Sequence, residues 1–358
     1  MALLGNRPDL WVRLGQDQQT IGIPIGPDTS LVISEILMHK CNARLTQRFA
    51  HLQGSRFIDD FELSFDSQAD AEEAHYHLEA CLSEYEWALN PKKTRIVKLP
   101  SPMETVWATE LKRVKPTASV SAQAAGLAIL FDTAFGLYRK FPGEAVLQFA
   151  IAMMQFETIH PENWNLFQKL LMLCSLPEPA SFPGAIRQII QRVNAGLGPL
   201  IPEVSDTSNS LIAIHSPLRH SSEVANAAWA CLALGLTMND ASVDAISICD
   251  EPVVALLALD CEQRNLTSKP LDKTLWTTHM TAESLYGELW LLAYEANIKY
   301  WLISPTGDFV AVDPNFRILK TAGVFFYDSG LTLPASPATP IAIPIAVPAG
   351  PADPANSM

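Results

Sequence analysis

The chain has little charge, and basic charge is the scarcer kind. Of its 358 residues 18% are charged, with 25 Lys and Arg against 38 Asp and Glu. The net charge of −13 argues against indiscriminate binding to a polyanion. A cysteine framework is also lacking. The six cysteines (Cys41, Cys81, Cys174, Cys231, Cys249 and Cys261) form no C-x-x-C pair and no Cys/His zinc spacing, which excludes a disulfide-stapled domain and a zinc ribbon. Most lie in apolar stretches such as Ala230-Cys231-Leu232, where a thiol behaves as a small hydrophobe. A reducing, cytoplasmic setting is expected for them. No basic segment leading into a long apolar core opens the sequence, so no signal peptide is read. The most apolar stretches, such as 227–236, are about half a bilayer span, and no membrane partner is expected. Hydrophobic residues, by contrast, make up 48% of the chain. Over this length they can build a sizeable core in two or three domains, which excludes a disordered chain.

Residues 1–115 mix turn signals, a hairpin pattern and amphipathic helices. Residues 116–330 read as mostly helical, with breaks at Pro142, Pro161, Pro177, Pro183, Pro199, Pro202 and Pro217. Two stretches, 300–304 and 309–312, have the composition of short strands around a Pro-Thr-Gly-Asp turn. No fixed-period repeat is evident, and a chain of helix pairs through the middle stays open. From 331 to 358 the composition shifts to seven prolines, many alanines and one charge, Asp353. An extended, disordered tail is expected there. Charge is uneven: 92–115 carries Lys92, Lys93, Arg95, Lys98, Lys112, Arg113 and Lys115 against Glu104 and Glu110. Such a strip suits an anion or an ordinary solvated face.

Residues 56–65 read Arg-Phe-Ile-Asp-Asp-Phe-Glu-Leu-Ser-Phe. Phe61, Leu63 and Phe65 alternate with Glu62 and Ser64, the period of a half-buried strand. Asp59 and Asp60 between two apolar strands fit a tight turn, since Asp tolerates turn geometry. A plain Asp-Asp turn is one reading. The other is chemical: adjacent carboxylates repel each other, and a divalent cation relieves the repulsion. Two such ions about 4 Å apart can activate a 3′-hydroxyl and stabilise a leaving pyrophosphate, given a further carboxylate to bridge them.

Upstream, Gly22-Ile-Pro-Ile-Gly-Pro-Asp-Thr-Ser30 leads into an apolar helix with Ile33, Ile36, Leu37 and Cys41 on one face. Glycines there let backbone approach a ligand closely. Downstream, Ala74, Leu78, Cys81, Tyr85 and Leu89 keep helical spacing from a Ser67 cap to a stop at Asn90-Pro91. Lys92-Lys93-Thr94 then opens a strand over 95–99. In this order the segments resemble the palm of the reverse transcriptase family. Gly22–Ser30 is similar to its template-contacting motif B, Phe57-Ile58-Asp59-Asp60 to its metal-binding motif C, and Leu89–Thr94 to its motif D. The sub-type resembled is the bacterial phage-defence, abortive-infection or retron-like group. Its long helical C-terminal region is similar to residues 221–229, 288–295 and 324–328.

The resemblance implies an α+β fold: a partial palm with an antiparallel sheet and helices over 1–115, a helical thumb or C-terminal region over 116–330, and the tail. It implies an RNA-directed DNA polymerase using Mg²⁺ or Mn²⁺ on Asp59 and Asp60, with Lys93 beside the triphosphate. Thr20, Gly22, Pro24, Gly26 and Phe57 would contact template and nucleotide. Partners would be an RNA template, a DNA product and a dNTP, and the setting antiviral defence. The family's motif A aspartate and its fingers have no counterpart here. Asp9 and Asp17, the aspartates preceding Gly22, lie in no apolar strand pattern. Little polymerisation is therefore expected from this chain alone, with the remainder preceding it or supplied by a separate N-terminal chain. Two alternatives stand beside this reading: a catalytically dead polymerase-derived scaffold that binds a partner or nucleic acid, and a helical interaction protein with an incidental Asp-Asp turn. His215 and His220 read as a helix start rather than a metal site. Trp290, Tyr294, Tyr300 and Trp301 read as core packing rather than a base-stacking platform.

Overall fold

The computed structural model describes residues 6–15, 22–23, 28–49, 51–100, 105–114, 119–305 and 307–330. The fold is α+β, with two compact units over residues 1–103 and 104–358.

The first unit contains α1 (Asn6–Leu14), α2 (Asp28–Arg48), a hairpin of β1 (Gln53–Phe57) and β2 (Asp60–Ser64), and α3 (Gln68–Ser83). An isolated two-stranded hairpin is marginal in water, and this one is supported from below. Phe61 and Leu63 pack with Phe49 and Leu52 on a core of Met38, Cys41 and Leu45 from α2 and Leu78, Cys81 and Leu82 from α3. Along β2 exposure alternates as the period of two requires. Gly54, opposite Leu63, lets the strands close up: a Cβ there would lie 2.3 Å from the Glu62 carbonyl oxygen. Cys81 Sγ lies 2.9 Å from Cys41 Sγ between α2 and α3.

Four expectations need correction in this unit. The buried stripe of α2 runs through Met38, Cys41 and Leu45, whereas Ile36 is exposed. Ser67 does cap α3, accepting the Asp70 N–H at 3.1 Å, but the helix ends at Ser83 and not at Asn90. Its end is a Schellman motif: Trp87 N–H donates to Leu82 O at 3.0 Å and Glu86 N–H to Ser83 O at 3.1 Å, with Glu86 left-handed at φ +60°. No strand forms over 95–99, whose residues are all exposed and pair with neither strand of the hairpin. The basic strip also divides between the two units. Lys92, Lys93, Arg95 and Lys98 belong to the first unit, Lys112 and Arg113 to the second, and Lys115 lies outside the described residues.

The second unit is helical: α4 (Val106–Arg113), α5 (Val120–Lys140), α6 (Val146–Met153), α7 (Trp164–Ser175), α8 (Phe182–Asn194), α9 (Pro202–His215), α10 (Ser221–Leu234), α11 (Asp240–Ile246), α12 (Pro252–Gln263), α13 (Thr274–Thr277), α14 (Trp290–Ile298), α15 (Phe309–Val312) and α16 (Phe316–Thr321). The chain of helix pairs left open by the sequence is present. α5, α7, α9 and α11 pack in succession, as do α6, α8, α10, α12 and α14, and each first-layer helix packs on its second-layer partner. One buried amide recurs at each step. Gln123 Nε2 donates to Thr158 O at 2.7 Å while its Oε1 accepts the His160 N–H at 3.0 Å. Gln168 does the same to Pro199 O (3.1 Å) and Ile201 N–H (3.2 Å), and Asn209 to Thr237 O (3.1 Å) and Asn239 N–H (2.8 Å). Each amide satisfies two backbone groups, two residues apart, in the loop entering the next first-layer helix. The interval is about 40 residues, the repeat length of helix-pair solenoids.

α5 is 21 residues long and apolar enough by length and composition to cross a membrane, longer than the sequence reading allowed. In the structure its Leu127, Leu130, Phe131 and Ala134 are buried in the core shared with α6 and α7. Residues 309–312 are helical rather than extended, because the Asp308 carboxylate caps them by accepting the Ala311 N–H at 3.1 Å; 300–304 form no strand either. Tyr294 is fully buried, with its hydroxyl donating to Val324 O at 2.8 Å. Tyr300, in contrast, is exposed, so core packing holds for only part of that aromatic group. All six thiols are free and buried, and burial pushes Cys174 and Cys231 up to about 12.

Candidate functional site

The β1–β2 connection is a two-residue loop, Ile58-Asp59, closed by the Phe57–Asp60 pair. Asp59 therefore lies in the turn and Asp60 opens β2, both exposed. Among the described residues neither carboxylate has a hydrogen-bond or ion-pair partner, and both are free to take a cation. Phe57 beside them is 77% exposed. Ile58 has φ +55°, a left-handed conformation that a β-branched residue rarely adopts. Two-residue hairpins with a positive φ only at the first central position usually carry Gly there.

The turn is held from behind by a side chain that the sequence reading passed over. Arg56 is buried to 13% side-chain exposure and forks onto Glu35 of α2, with Nη1–Oε1 2.8 Å and Nη2–Oε2 2.6 Å. Its Nη1 also donates to the Ile58 carbonyl. The Arg56 hydrogen bond holds the Glu35 carboxyl below its ordinary range. A basic residue three positions before two aspartates was a visible signal, but its acidic partner lies 21 positions away.

Lys93 occupies the turn after Asn90. Its N–H donates to Asn90 O at 3.0 Å, and the Lys92 N–H donates to Asn90 Oδ1 at 3.0 Å. The Lys93 side chain is exposed, and among the described residues no ion pair joins it to Asp59 or Asp60. Gly22 is exposed at φ +73° with open space around its Cα. Thr20, Pro24, Gly26 and Asp17 lie outside the described residues. Asp9 is on α1, paired with Arg13 at 2.9 Å. His215 and His220 face each other at the α9–α10 junction, with Nδ1 atoms 2.9 Å apart.

The donor chemistry at the hairpin tip suits one hard divalent cation. Mg²⁺ typically takes one or two carboxylates and completes its shell with water and phosphate oxygens. A two-ion site needs more. Among the described residues no cluster of three or more His, Cys, Asp or Glu side chains is placed to share an ion.

Residues 9–118 match the family model of reverse transcriptase (RNA-dependent DNA polymerase). No curated protein and no solved structure matches the chain. The match runs from α1 through α4 and contains the whole hairpin. It supports reverse-transcriptase nucleotidyl transfer in general for this stretch, with a nucleic-acid template, deoxynucleoside triphosphates and divalent metal ions.

Proposed function

We propose that the chain carries the metal-binding and template-facing part of an RNA-directed DNA polymerase of the bacterial defence or retron-like type, acting in the cytoplasm with a carboxylate supplied from outside the described residues. The observation that carries this reading is the pair of exposed carboxylates, Asp59 and Asp60, unpartnered among the described residues, at a two-residue hairpin tip within the reverse transcriptase match. A divalent ion bound there would supply charge stabilisation to a phosphoryl group in transfer. The chain's own residues would do the rest. Asp59 and Asp60 would hold the cation, Phe57 would offer an apolar face to the base pair, and Lys93 would present an ammonium to the triphosphate. Thr20, Gly22, Pro24 and Gly26 would line the template.

The test is dNTP incorporation on an RNA template by protein isolated with whatever chain copurifies, compared with Asp59→Ala and Asp60→Ala. Removing one carboxylate from a two-ion site costs several kcal/mol of transition-state stabilisation, so incorporation should fall by about 10²-fold or more. The purified chain alone should extend a primer little or not at all. Incorporation unchanged in both variants would refute the reading. A second reading, a polymerase-derived scaffold, expects Asp59→Ala to change nothing.

A further inference from the structure

We infer that Arg56 is a positioning residue: clamped by Glu35, it holds the carbonyl of Ile58 and so fixes the strained turn that sets Asp59 and Asp60 side by side. The inference rests on the metal-binding reading of those aspartates and deepens it. Three contacts converge on one guanidinium: two to Glu35 at 2.6 and 2.8 Å and one to the Ile58 carbonyl. Arg suits this task and Lys does not, because only the planar fork can engage both carboxylate oxygens while directing another N–H elsewhere. The arrangement is costly to keep without a purpose. A β-branched residue with positive φ persists only where its surroundings over-determine it.

The charges also fit. An unpaired guanidinium three residues before a cation site would repel the cation. Glu35 cancels that charge, so Arg56 shapes the turn without opposing the ion. Because Glu35 is on α2, the same pair ties that helix to the hairpin.

The experiment uses the full chain and two readouts, hydrogen–deuterium exchange of the peptide spanning 55–62 and Mn²⁺ binding followed by electron paramagnetic resonance. Arg56→Lys keeps the net charge and is the decisive variant, with Glu35→Gln beside it and Asp59→Asn as the metal control. Exchange at the turn should speed up about tenfold in both latch variants, and Mn²⁺ affinity should fall several-fold in Arg56→Lys. Unchanged exchange in Arg56→Lys would overturn the inference, as would faster exchange with unaltered Mn²⁺ affinity. Should the wild type and Asp59→Asn bind Mn²⁺ alike while the latch variants exchange faster, the metal reading fails and Arg56 remains a turn clamp. If Arg56→Lys proves unfolded, Arg56→Lys with Ile58→Gly keeps the test open. Glycine accepts the left-handed turn unaided, so that double variant should fold, exchange slowly and bind Mn²⁺ like the wild type; a loose turn there would overturn the inference.

Discussion

At the scale of single residues, the hairpin tip joins a favourable chemistry to an unfavourable backbone. Ile58 at φ +55° occupies a conformation where L-residues with branched Cβ atoms are outliers. Replacing it with glycine removes that penalty at a site where glycine is the usual choice. Ile58 is exposed, so little packing is lost. Ile58→Gly should therefore stabilise the first unit by about 1 kcal/mol, read as a higher urea midpoint of the hairpin's exchange-protected amides. A lower midpoint would mean that the isoleucine makes an apolar contact worth more than its strain. The two aspartates were legible in the sequence because their neighbourhood is local: two adjacent carboxylates flanked by alternating apolar residues. Arg56 and Glu35 were not. They meet only once α2 and the hairpin have packed, and neither residue type nor spacing announces a pairing across 21 positions.

At the scale of elements, the readings that succeeded rest on short-range chemistry. The Ser67 cap, the Ala74–Leu78–Cys81 part of the α3 stripe and the period of β2 each depend on residues within a few turns or pleats. The readings that failed depended on partners. The Arg95–Leu99 run has strand composition yet pairs with nothing among the described residues, and Phe309–Val312 became a helix because a capping aspartate precedes it. The end of α3 was misplaced because its left-handed C-terminal residue is Glu86 and not the glycine that usually marks one. The repeating amide of the second unit escaped notice because loops of unequal length blur its period. Its energetic role is nonetheless definite. Asn209 is buried, and its amide satisfies Thr237 O and the Asn239 N–H. Asn209→Leu conserves volume but strands both backbone groups, each at about 1–3 kcal/mol. A loss of about 2–6 kcal/mol is expected, measured as the shift in urea unfolding followed by helical circular dichroism. Gln123→Leu and Gln168→Leu should show losses of similar size, whereas a neutral outcome at all three would dismiss the amides as incidental.

At the scale of the whole molecule, the charge of −13 conceals an uneven distribution. Residues 1–103 carry 10 basic and 14 acidic side chains, a net of −4; residues 104–358 carry 15 and 24, a net of −9. Part of the first unit's charge is paired internally: Glu73 with Arg48 and Glu84 with Arg44. The cations without such pairs include Lys92, Lys93, Arg95 and Lys98, in a stretch whose residues are all exposed. A nucleic acid that binds the first unit should be held by this local cluster despite the acidic average, since screening confines the influence of the remaining charge to about 10 Å at moderate salt. Four phosphate contacts predict a salt slope of about −2.8 on single strands and −3.6 on duplex. Affinity for a labelled template–primer should thus drop about 50- to 150-fold between 50 and 200 mM salt. Converting the four cations singly to Gln should shallow that slope by about 0.7–0.9 each, as read by fluorescence anisotropy. A slope unchanged by all four substitutions would place the phosphate contacts elsewhere. Binding indifferent to salt would remove nucleic acid as the partner of this surface, because the only attraction available to an exposed cluster on an acidic protein is one that counterions can screen.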